Sequence, residues 1–103
     1  MKKAIVLLSE RLDVSEKFRV ELTVLKVVPS ARHPEGVKVS FVLIDTERGV
    51  PRLVVDNHAP FGFHVHTRLP EKRDERQILP TTDYVEALDE FWRFVKEIVR
   101  DED

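Results

Sequence analysis

Between residues 18 and 24 the side chains alternate without a break: Phe18, Val20, Leu22 and Val24 are apolar, while Arg19, Glu21 and Thr23 are polar. Successive side chains on a strand point to opposite faces, so this pattern describes a strand with one buried face. On an α-helix the same residues would scatter apolar groups around every side. The alternation returns in "VKVSFVLIDTERG", where Val37, Val39, Phe41 and Leu43 oppose Lys38 and Ser40. It returns again in "RLVVDN", with Leu53 and Val55 inward and Arg52, Val54 and Asp56 outward. In "FHVHTRL", Phe63, Val65, Thr67 and Leu69 share one face, and His64, His66 and Arg68 share the other.

Turn residues separate these runs: Pro29 before a loop holding His33, Gly49 and Pro51 next, then "HAPFG". Upstream, the run from Ala4 to Leu8 is rich in β-formers, and the polar "SERLDVSEK" behind it makes a turn or extends the strand. After the charged "PEKRDER", "QILP" either adds a short strand or leads into a helix. Asp83 with Glu86 three residues on fits a capping box. Tyr84, Leu88, Phe91, Trp92, Val95, Ile98 and Val99 then recur at spacings of three and four, against Asp89, Glu90, Arg93, Lys96 and Glu97. The pattern predicts an α+β domain over residues 1 to 103. An antiparallel meander of about five strands, over about residues 4 to 79, is packed on one face by an amphipathic C-terminal helix over about 83 to 100.

Composition narrows the function classes. A net charge of −2 gives no global positive field for nucleic acid, so any such binding must come from a local patch. The absence of cysteine removes thiolate metal sites and cysteine nucleophiles. Arg11 and Asp13 end the first apolar run too early for a signal core or a membrane span, and a cytoplasmic protein is expected. Charged residues at 35% with a single methionine also suit a thermophile's protein.

The face left free by the helix is the place for chemistry. It carries Arg19, Lys38, Arg52, Asp56, His64, His66 and Arg68, with the two histidines roughly 6.6 Å apart along one strand. A single histidine on a solvated sheet face is ordinary surface. Two beside a carboxylate and several cations make a candidate site. His33 and His58, in loops, read as surface residues, and Asn57 and Gly62 suit turns. Three chemistries fit. Metal-free RNA cleavage would use His64 and His66 as general acid and base, Asp56 to orient one imidazole, and Arg52, Arg68, Lys38 and Asn57 to hold phosphate. Metal-dependent phosphoester hydrolysis would use His64, His66 and Asp56, with His58 folding back from its turn, around one divalent ion. A non-catalytic module would dock RNA or a protein on the same face. Arginines beside the histidines would repel a divalent cation, which favours the metal-free reading without a cofactor.

The order of elements and these motifs resemble the TumE-like family, toxins of bacterial and archaeal toxin–antitoxin pairs. The likeness runs over nearly the whole chain: an apolar opening strand, "VELTVLKVVPS", "RLVVDN", a glycine before His-x-His, and "ALDEFWRFV" near the end. Asp56, Asn57, Gly62, His64 and His66 fall on the family's pattern. Phe63 and Val65 depart from it, standing where the family often has an acid and an arginine. The resemblance implies a type II toxin neutralised by a neighbouring antitoxin, commonly a helix-turn-helix DNA-binding protein. RNA as the substrate is inferred from the histidine face together with the habit of such small toxins.

Overall fold

The computed structural model describes residues 4 to 103. Six strands follow one another as β1 (Ile5–Asp13), β2 (Phe18–Lys26), β3 (Val37–Asp45), β4 (Val50–His58), β5 (Gly62–His66) and β6 (Gln77–Ile78). Their order in the sheet is their order in the chain, and every neighbouring pair is antiparallel. One helix, α1 (Tyr84–Glu102), closes the chain and packs against β3 and β4. Among the described residues, no helix is long and apolar enough to cross a membrane.

The alternation sorts the two faces as the side chains demand. Phe18, Val20, Val39, Phe41, Leu43, Leu53, Val55 and Val65 are fully buried against Ala87, Phe91 and Val95 of the helix. Phe41 and Phe91 meet with ring centroids 5.8 Å apart, which pins the helix over the sheet centre. Leu88 and Trp92 are half-buried at the margin, so the buried stripe runs through Ala87, Phe91, Val95 and Ile98. The polar "SERLD" extends β1 to Asp13. It does not turn. "QILP" does supply a sixth strand, pairing with β5. The fifth strand stops at His66, so Thr67 and Leu69 lie beyond the sheet.

The start of α1 departs from a simple capping box. Asp83 accepts from the Val85 N–H at 2.8 Å, as an N-cap should. Glu86, however, accepts from the Thr81 hydroxyl at 2.6 Å, because that hydroxyl already receives the Asp83 N–H at 3.0 Å.

Two details of β4 govern the candidate site. Opposite Leu43 and Ile44 of β3, β4 carries one extra residue: Leu43 pairs with Leu53 and Ile44 with Pro51, leaving Arg52 as a bulge. The bulge takes Arg52 out of the alternation. At the other end, β3 and β4 cease to pair beyond Ser40 and Asp56. There the Asn57 side chain carries the ladder on. Its carbonyl accepts from the Val39 N–H at 2.7 Å, and its amide donates to the Val37 carbonyl at 2.9 Å.

Candidate functional site

On the face away from α1, Asp56 and His64 are direct cross-strand partners, and His66 lies opposite Val54 two pairs further along. The sequence placed His58 in a turn. In the structure it is the last residue of β4, on the same side of the sheet as Asp56, with its Nε2 3.7 Å from the Asp56 carboxylate. The His64 ring sits between two others, edge-on to His58 at 4.8 Å and to His66 at 5.2 Å between centroids. Three imidazoles and a carboxylate therefore share one corner of the sheet. Asp56, His58 and His64 each offer a ligand atom within 4.8 Å of the others.

The polar atoms of this trio are divided in a regular way. His64 has its Nδ1 2.7 Å from the Gly62 carbonyl, so Nδ1 carries the hydrogen and donates it. Gly62, with φ +62°, makes the sharp entry to β5 that aims this carbonyl back at the ring. His58 has its Nδ1 3.3 Å from the Ala59 carbonyl in the same manner. Asp56 accepts the Asn57 N–H at 2.7 Å with one oxygen and turns the other towards His58. Each side chain is anchored to the backbone through one atom and leaves a second for the centre.

His64 is entirely buried, and its Nε2 has no hydrogen-bond partner among the described residues. Phe61 covers it edge-on at 5.6 Å, and the Arg76 guanidinium lies 3.9 Å above the Phe61 ring. Burial holds the His64 imidazole below its ordinary pKa. The charges of His58 and His66 act in the same sense, opposed by the Gly62 hydrogen bond and by Asp56. His66 is more open and has Nδ1 3.0 Å from the Glu75 carbonyl. His33 also belongs to the neighbourhood. It is buried in a loop that is tied to the β4–β5 turn by the Ala59 N–H donating to the Arg32 carbonyl at 2.9 Å. Its pKa is lowered, first by burial and then by Arg32.

Several residues expected at the site are elsewhere. Arg52, displaced by its bulge, grips Glu102 at the helix end at 2.6 Å and donates to the Thr67 carbonyl. Arg68 is paired with Glu75 at 3.5 Å. Both line a surface cavity of about 350 Å³ with Arg48, Glu71, Lys72 and Glu102, which none of the clustered histidines lines. Asn57 is fully buried and spends its amide on the β3 backbone, so it offers a ligand nothing. Lys38 is where the alternation put it, exposed and two residues from Ser40, the cross-strand partner of Asp56. Among the described residues, Lys38, Arg32 and Arg76 make no ion pair with a carboxylate. The cations about the cluster are thus Lys38, Arg32 and Arg76. The sequence held no local sign of the last two, since "PSARHPEG" and "PEKRDER" both read as solvated loops.

Compared with family models, curated proteins and solved structures, the chain has no match in any of the three.

Proposed function

We propose that this chain is the toxin of a toxin–antitoxin pair and cleaves RNA at the corner formed by Asp56, His58, His64 and His66. The observation that carries the reading is a row of three edge-on imidazoles, two of them beside the Asp56 carboxylate, on the sheet face that the helix leaves free. Structural cores seldom gather such groups, and reaction centres do. Lys38 and Arg76 supply positive charge for a phosphate at the rim.

The burial of His64 changes the division of labour from that expected of His-x-His. A ring with no exposure does not exchange protons with a bound nucleotide. His66 is the accessible imidazole. With its Nδ1 hydrogen donated to the Glu75 carbonyl, the lone pair on Nε2 takes the proton of the ribose 2′-hydroxyl. The 2′-oxygen forms a bond to the adjacent phosphorus, and the bond from phosphorus to the 5′-oxygen breaks. The departing oxygen takes a proton from water, and His66 returns its own to the hydroxide left behind. Lys38 and Arg76 bear the extra negative charge of the phosphorane. The toxin setting rests on the family resemblance of the motifs. It implies action in the cytoplasm and a helix-turn-helix antitoxin that covers this face.

The test is expression from a tightly controlled promoter in a host lacking the neighbouring gene, following growth and bulk RNA. The wild type should arrest growth with loss of RNA, while His66→Ala and Asp56→Asn should grow. Equal arrest by these variants, or no arrest by the wild type, overturns the reading.

A further inference from the structure

We infer that Asp56, His58 and His64 bind one divalent transition-metal ion. As the cofactor of the reaction proposed above this rests on that reading; as a binding site it stands on geometry and is tested alone.

Three observations converge. The first is the buried Nε2 of His64, which has no partner. An orphaned buried acceptor is costly, and such atoms in folded proteins usually mark a bound ion, a water or a functional role. The second is the arrangement of hydrogen bonds. Both His58 and His64 place Nδ1 on a backbone carbonyl, leaving Nε2 as the lone-pair nitrogen. Metal-binding histidines are held in this way, because the outer hydrogen bond fixes both the tautomer and the ring angle. Asp56 is oriented likewise by the Asn57 N–H. The third is electrostatic. Arg52 and Arg68, which would repel a cation, are turned to Glu102 and Glu75 instead, which leaves the exposed Arg32 and Lys38 and the Phe61-stacked Arg76 as the cations nearby.

Two imidazole nitrogens and one carboxylate oxygen are a borderline-soft set suited to zinc, cobalt, nickel, manganese or ferrous ions rather than magnesium or calcium. Three protein ligands leave at least one position for water or a phosphate oxygen, as in catalytic rather than structural sites. Tetrahedral bonds of about 2.0 to 2.1 Å place ligand atoms roughly 3.4 Å apart, so the widest pair must close by about 1.4 Å. His58 and Asp56 are only half-buried, so it is their side chains that have room to move inward. Bound there, the ion polarises a phosphoryl oxygen and lowers the pKa of its water.

The experiment is cobalt(II) titration of chelator-stripped protein, read by visible absorption, with zinc as competitor. One equivalent of cobalt should bind with the intense bands of a low-coordinate site, and zinc should bleach them. His58→Gln and Asp56→Asn, each checked for folding by circular dichroism, should lower the affinity at least about tenfold. His66→Ala should retain it. Absence of stoichiometric binding, or equal binding by all variants, overturns the site. Metal binding by a chain that leaves RNA intact would instead overturn the ribonuclease reading and leave the site standing.

Discussion

Asp56 and His64 face one another across the β4–β5 ladder, on the side of the sheet away from the helix, and the other side of the same strands is the hydrophobic core. The candidate site is thereby mounted on strands whose opposite faces are locked by Val55, Phe63 and Val65. The site takes its rigidity from the core, and its groups come from adjacent rows of one hairpin.

Asn57 is the hinge between those two functions of β4. Asn57→Ala would orphan the buried Val39 N–H, at about 1 to 3 kcal/mol, and the half-buried Val37 carbonyl, at less. Urea unfolding should show a loss of about 2 kcal/mol or more. Loss below about 0.5 kcal/mol would mean that the amide does not carry the ladder.

The two faces should separate in stability measurements. Phe91, buried against Phe41, should cost about 3 to 5 kcal/mol when replaced by Ala, whereas His66→Ala should cost less than about 1 kcal/mol. The reverse order in denaturant titrations would contradict the assignment of core and free faces.

His33 should give the protein a sensitivity to acid. Burial, Arg32, Lys38 and His58 hold its folded pKa below the unfolded value of 6.5, and only Asp56 acts the other way. A group depressed on folding stabilises the fold above its unfolded pKa. That contribution is lost as the pH falls from 6.5 towards the folded value, because the unfolded chain takes up the proton first. In the presence of chelator, His33→Gln should therefore lose less stability than the wild type between pH 7.5 and pH 5. Identical losses would show that His33 does not contribute.

The parts legible in the sequence were those set by local periodicity. The alternation from Phe18 to Val24 assigned core and free faces correctly, and the three- and four-residue spacing placed α1 to within two residues at each end. The same alternation misplaced Arg52, since a bulge shifts the parity of everything on its far side and leaves no mark in composition. Asn57 looked like a turn residue because β4 runs three residues beyond Val55, the last apolar residue of its pattern, and the strand end also decides that His58 joins the cluster. His33 and Arg76 reach the site through loops, by contacts between residues far apart in the chain. Burial of His64 depends on Phe61 folding over it, which strand periodicity does not encode.

The most direct test of a metal-loaded reaction centre at Asp56, His58 and His64 is single-turnover cleavage of RNA by chelator-stripped protein. The account predicts markedly slower cleavage after stripping, recovery on adding one equivalent of zinc or manganese, and no metal-dependent gain in Asp56→Asn. Cleavage that proceeds at the same rate in EDTA would contradict it and return the chemistry to the imidazoles alone.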